Sequence, residues 1–199
     1  MSSTAFTNIA TLVTNDPTIG EGALGVLHGA TVVIEDNRIT SVGTGTQSGV
    51  DNEINCSGKT LLPGFVDSHT HLIFAGDRSQ EFSARSKGEK YTAGGITTTV
   101  EATRKASNLE LHNNAQRLLN EALSFGTTTV EIKSGYGLNE ADEARSIEIA
   151  SHFTTETTLL AAHVVPLEFK SDVEGYVDLI INKMIPVTTA KWIDVFCDS

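Results

Sequence analysis

The sequence predicts an α/β protein in which a small β-rich domain over residues 1–60 precedes strands that alternate with amphipathic helices over 61–199. Three observations predict it. Up to about residue 60, short β-branched runs are separated by turn residues. From Leu61 onward, strand-like runs alternate with apolar stripes of helical period. The first of those later strands ends in two histidines one residue apart, His69 and His71.

In the first segment Ala5–Val13, Ala23–Leu27, Ala30–Glu35 and Arg38–Val42 read as strands, divided by Gly22, His28-Gly29 and Asp36-Asn37. Asp36-Asn37 between two alternating runs predicts a tight hairpin turn, and His28 beside Gly29 reads as a turn residue. This part carries no chemistry of its own.

The stretch Leu61–Arg78 organises the rest. Side chains at i and i+2 of a strand share a face, so His69 and His71 project together with Cα atoms about 7 Å apart. Both can reach one metal ion, and neutral imidazole is a good ligand for first-row metals. The alternative is two polar residues at an exposed strand end.

Further on, Ser107-Asn108-Leu109-Glu110 has the form of a capping box, and Leu111, Ala115, Leu118, Leu119 and Ala122 make the stripe behind it, with Gly126 as the stop. Thr127–Lys133 reads as a strand leading into Ser134-Gly135-Tyr136-Gly137. Asn139 caps a second helix with Ala141, Ala144, Ile147, Ala150 and Phe153 on one stripe, and Thr157–Ala162 is a strand running into His163. Asp172 caps a third helix that Pro186 ends near Ile185, and Trp192–Cys197 is a fourth strand. Strand ends therefore fall near Ser68, Lys133, Ala162 and Cys197. The last two intervals, about 30 and 35 residues, suit βα units of a barrel or of a doubly wound sheet. The first is about twice as long and is expected to hold a long loop containing Arg78 and Gly94-Gly95.

Composition bounds the partners. A net charge of −11 argues against nucleic acid and anionic membranes, and leaves room for a small anionic substrate met by a local cation. No run approaches the roughly 18 apolar residues of a membrane span, and Met1 to Val13 lacks the basic and apolar regions of a secretory signal. Cys56 and Cys197 lie far apart, which suits a reduced, cytoplasmic setting. The last residues, Asp198-Ser199, follow an apolar strand with no covering helix, so the expectation is a piece of a longer chain holding about four strands of an eight-stranded barrel.

Pro63-Gly64-Phe65-Val66-Asp67-Ser68-His69-Thr70-His71 resembles the signature of the amidohydrolase superfamily, metal-dependent hydrolases with a small β-domain beside a (β/α)8 barrel. Phe74–Arg78, Val130–Leu138, Ala162–Pro166 and Trp192–Cys197 narrow the resemblance to the imidazolonepropionase family, over essentially the whole sequence. The resemblance implies the N-terminal half of a (β/α)8 TIM-type barrel (61–199) preceded by part of a small β-sandwich (1–60). It also implies hydrolysis of the cyclic amide 4-imidazolone-5-propanoate to N-formimino-L-glutamate in histidine degradation. One divalent ion, zinc or iron, would be held by His69 and His71, with Arg78, Tyr136 and His163 contacting substrate.

The segment from Gly88 to Gly94 is shorter than usual for that family. The family's remaining metal ligands, and its acid or base, would lie beyond Ser199, so no catalytic acid or base is identified within this chain.

The chemistry agrees with that carry-over. Arginine binds a carboxylate bidentately, as a propanoate tail requires. Tyr136 stands between two glycines that allow close backbone approach, and His163 stands at a strand end as the histidine pair does. Lys133 is set aside as a carboxylated bridging lysine because the family is mononuclear, and His112 and His152 are expected on solvated helix faces. Two other readings are open: a different amidohydrolase, such as a deaminase or cyclic amidase, or a non-catalytic fragment. A homodimer is the open quaternary option.

Overall fold

The computed structural model describes residues 2–45, 49–88 and 94–197, with residues 80, 84, 85 and 94 as backbone only. The expected short segment between Gly88 and Gly94 and the terminal Asp198-Ser199 lie wholly or mostly outside those residues. The chain forms two compact units that divide after Gly64.

The first unit is a five-stranded sheet of β1 (Ser3–Val13), β2 (Val26–Glu35), β3 (Arg38–Thr44), β4 (Asn52–Asn55) and β5 (Thr60–Leu61). Strand β1 is central, antiparallel to β2 and parallel to β4 and β5. Its core gathers Ile9, Leu12, Ala30, Val32 and Cys56. Asp36 and Asn37 turn β2 into β3 with φ of 47° and 64°, the double positive φ of a hairpin turn matched to strand twist.

The two strands expected over Ala23–Leu27 and Ala30–Glu35 are instead one, and His28 is a strand residue rather than a turn residue. Gly29 at φ 62° lets the chain pass, while β1 bulges opposite, with Asn8 at φ 54°. The His28 Nδ1 lies 3.1 Å from the Ala10 carbonyl oxygen across the pair.

The second unit is a four-stranded parallel sheet in sequence order: β6 (Phe65–Thr70), β7 (Thr127–Lys133), β8 (Thr157–Ala162) and β9 (Trp192–Val195). This is a parallel half-barrel. Helices α3 (Asn108–Ser124), α4 (Glu140–Ser151) and α5 (Val173–Leu179) link the strands. All three caps expected from the sequence form. Ser107 accepts from the Glu110 N–H, Asn139 from Asp142 and Asp172 from Gly175. Leu111 and Ala115 of α3 then bury against Val130 and Ile132 of β7 and Ile149 and Ala150 of α4.

Two expectations need correcting. The long first interval holds α1 (Ser79–Ser86) and α2 (Gly94–Lys105) rather than only a loop. The run Thr97-Thr98-Thr99 has low helix propensity, but burial of Thr99, Val100 and Thr103 overrides it, and the Thr103 hydroxyl accepts from the Ala75 N–H at 3.1 Å. The third helix ends two residues past the expected Ile185: it widens to a π turn over Ile180–Met184 and continues through α6 (Ile185–Val187), stopping one residue after Pro186.

Among the described residues no helix is long and apolar enough to cross a membrane. Leu111 has no exposed surface, so Leu111→Ala should destabilise the second unit by about 2–5 kcal/mol, against about 1 kcal/mol for Ser107→Ala. Urea unfolding of the two variants checks both values; equal losses would mean that the stripe of α3 is not core.

Candidate metal and substrate site

Because the four strands run parallel, their C-terminal ends open at one edge of the sheet, and the loops that follow carry the candidate residues. His69 is the penultimate residue of β6 and His71 directly follows that strand. Their ring centroids are 5.3 Å apart. Tyr136, three residues past β7, lies 5.6 Å from His71, and His163, one residue past β8, lies 5.1 Å from it in a stacked arrangement. Tyr136 and His163 are 5.5 Å apart, and Phe74 and Phe196 flank the group. Four residues spread over almost a hundred positions thus form one cluster.

His71 is half-buried, and its Nδ1 has no hydrogen-bond partner among the described residues. Burial pushes its pKa down to about 4, helped by the neighbouring His163, His69 and Lys133 and opposed by Glu131. A neutral imidazole with a buried free nitrogen is what a metal ligand must be, so the residues present fit a divalent ion. Among the described residues no group of three or more His, Cys, Asp or Glu is arranged to hold one.

Beneath the rings, Lys133 ties three strands together. Its Nζ lies 2.8 Å from Glu131 of β7 and 2.9 Å from Asp194 of β9, and Glu131 accepts from the N–H of Thr70, the residue between the two histidines. Burial opposes the charge of Lys133, yet the hydrogen bonds to both carboxylates prevail and hold its pKa above the ordinary lysine value. The amine is engaged by carboxylates. Glu131 and Asp194 were missed in the sequence, although the i, i+2 spacing of Glu131 and Lys133 on one strand was an available signal for the first of them.

Arg78 stands before α1, its side chain 39% exposed. Its Nε donates to the Gly95 carbonyl and the Thr99 hydroxyl, each at 3.1 Å, and Glu81 lies 3.8 Å away. One terminal nitrogen, Nη2, is buried without a hydrogen-bond partner among the described residues. The guanidinium is anchored through Nε to α2. His152 is exposed, as expected, at the C-terminal cap of α4, whereas the His112 ring is partly buried, 4.6 Å from Phe153 and 5.9 Å from His152.

Residues 52–117 match the amidohydrolase family model. Solved structures with the same fold include an atrazine chlorohydrolase from Arthrobacter aurescens TC1 complexed with zinc and atraton. It has a TM-score of 0.52 and 20% identity, over 79% of this chain and 35% of that one. A triazine hydrolase aligns with a TM-score of 0.50 and 19% identity, over 80% and 35% of the two chains. The family model matched over residues 52–117 is that of the amidohydrolases, and the two solved structures share the fold.

Within that class the sequence is similar from end to end to the N-terminal half of the imidazolonepropionases. The enzymes so named from Streptomyces griseus subsp. griseus and Streptomyces coelicolor are 52% and 51% identical, over 100% and 99% of this chain and 52% and 51% of their own lengths. That from Mycolicibacterium smegmatis is 49% identical over 100% and 51%. The chain thus spans about half the length of these curated relatives.

The environment of His71 gives a direct check. A histidine whose folded pKa of about 4 lies below its ordinary 6.5 binds its proton first in the unfolded chain. Its contribution to stability therefore declines as pH falls from 6.5 to about 4 and levels off below that. In chelator-treated protein, the ring resonances of His71 should stay those of the neutral form until near pH 4. A midpoint near 6.5 would mean that the ring is fully hydrated.

Proposed function

We propose that this protein acts in hydrolysis of the cyclic amide of 4-imidazolone-5-propanoate, giving N-formimino-L-glutamate in histidine degradation. The observation that carries the reading is the gathering of His69, His71, Tyr136 and His163 within 5.1–5.6 Å contacts at one edge of a parallel sheet. The whole-length similarity to enzymes named imidazolonepropionase supports it.

His69 and His71 would hold the divalent ion, zinc or iron. Such an ion supplies Lewis acidity and a water acidified toward neutral pH. Arg78 binds the propanoate carboxylate through the guanidinium edge that carries the unpartnered Nη2. Tyr136 and His163 orient the ring. The departing ring nitrogen needs a proton, and none of the described residues of this site is assigned that task. The substrate is a small anion, received by Arg78 against an otherwise acidic surface, with neither nucleic acid nor membrane as partner. A cytoplasmic setting accords with free Cys56 and Cys197.

A deaminase or other cyclic amidase would keep His69 and His71 but has no need of a cation for a carboxylate tail. In a full-length version of the protein, Arg78→Ala should raise KM for imidazolone propanoate at least about tenfold and change kcat much less. Equal kinetics would remove Arg78 from substrate binding, and no turnover by the parent would end the reading.

Among the described residues His69 and His71 are the two histidines assigned to the ion, where catalytic zinc commonly has three protein ligands. Equilibrium dialysis should therefore find weak zinc uptake, and assays no turnover, for this chain alone. Tight stoichiometric uptake would contradict that.

A further inference from the structure

We propose that Glu143 is a positioning residue for this site: its buried carboxylate holds the loop that presents Tyr136 and fixes the ring of His163. The proposal rests on the reading above only in taking Tyr136 and His163 as groups that face substrate.

Glu143 lies in the first turns of α4 and is 1% exposed. A lone carboxylate in that position is costly unless its oxygens are satisfied. No lysine or arginine reaches it within ion-pair distance among the described residues. Four donors from one loop do instead. The N–H of Gly135 donates to Oε2 at 3.1 Å, and those of Gly137 and Leu138 donate to Oε1 at 2.8 and 2.7 Å. The Ser134 hydroxyl adds a fourth bond. The N-terminal end of α4 further favours a negative charge there. Burial pushes the Glu143 pKa up, and these hydrogen bonds pull against it.

Tyr136 is the residue enclosed by these bonds. The loop on either side has backbone geometry that does not persist unaided: Gly135 at φ 117° and Leu138, a non-glycine, at φ 52°. A Cβ on Gly135 would come within 3.0 Å of the Leu160 carbonyl oxygen and 3.1 Å of the His163 Nδ1, so the close approach requires glycine.

The same peptide reaches His163. The Gly135 carbonyl lies 3.0 Å from the His163 Nδ1. A carbonyl oxygen only accepts, so Nδ1 carries a hydrogen, and in the neutral ring Nε2 is then the nitrogen with the lone pair. Outside the loop, Arg104 donates from Nε to the Gly137 carbonyl at 2.6 Å, and its Nη2 lies 2.7 Å from Glu168 in the turn beyond His163. Glu143 thus grips the N–H groups of the loop while Arg104 grips one of its carbonyls.

Glutamine has the shape of glutamate but one acceptor oxygen fewer. In Glu143→Gln, either the Gly135 N–H or the Gly137–Leu138 pair must face an NH2 group. A side chain that only fills space would tolerate the change; a positioning carboxylate would not. The test uses the 199-residue chain labelled with 15N and needs no substrate, so a failed activity assay leaves its result intact.

In the wild-type chain the amides of Gly135, Gly137 and Leu138 should exchange as slowly as those of β7, and His163 should give a single tautomer protonated at Nδ1. Glu143→Gln should speed exchange at Gly135 or at the Gly137–Leu138 pair by about tenfold or more and mix the His163 tautomers. Ile147→Val, a buried change one turn along α4, should lower stability and alter neither signal. Wild-type loop amides exchanging at open-loop rates would overturn the proposal, whether or not the glutamine variant folds. So would a folded Glu143→Gln chain with unchanged protection and tautomer.

Discussion

The parallel pairing of β6, β7 and β8 is the constraint on which the site depends. Parallel strands all end at the same edge, so residues that follow them in sequence meet in space, however far apart they are along the chain. His71, Tyr136 and His163 occupy the first, third and first positions beyond their strands. Had any of the three strands run antiparallel, its loop would open at the opposite edge and the ring cluster would lose a member.

Bringing these groups together concentrates positive character. His71 is close to two other imidazoles and to the field of Lys133, and it stays neutral because burial and those neighbours disfavour its protonation. Lys133 keeps its charge because Glu131 on its own strand and Asp194 on β9 both engage it. The two solutions differ for a physical reason. Lysine begins far above neutral pH and can afford burial once it has two carboxylates, whereas histidine begins near neutrality and gives up its proton instead. The edge of the sheet therefore pairs a fixed internal charge with a neutral ring whose nitrogen is free for a ligand.

Most of the second unit was legible in the sequence because local signals agreed with tertiary packing. Ser107, Asn139 and Asp172 cap helices as their residue types predict, and the stripe through Leu111 and Ala115 is buried. The failures share one origin, which is contact made far along the chain. Thr97–Thr99 reads poorly as helix until Thr103 is seen to accept from Ala75. His28-Gly29 reads as a turn until the bulge at Asn8 opposite allows the strand to continue. The histidine pair was visible because its spacing is a strand property. The roles of Glu131 and Asp194 were not, because a carboxylate shows its purpose only when the lysine between the strands is in place.

Arg78 illustrates how a loop residue is held in place without a strand. A free arginine side chain would spread over many rotamers and lose that freedom on binding an anion. Here Nε is already committed to the Gly95 carbonyl and the Thr99 hydroxyl on α2, so the plane of the guanidinium is set before any ligand arrives. Glu81 lies at 3.8 Å, too far for a close hydrogen bond, and leaves the group a net donor. Helix α2 is thus more than a filler of the long first interval. It holds Arg78 at its first turns through Gly95 and Thr99, and at its last turn it sends Arg104 to the loop that carries Tyr136. One helix of low intrinsic propensity, stabilised by its buried threonines, sets the anchor points of both the cation and the phenol.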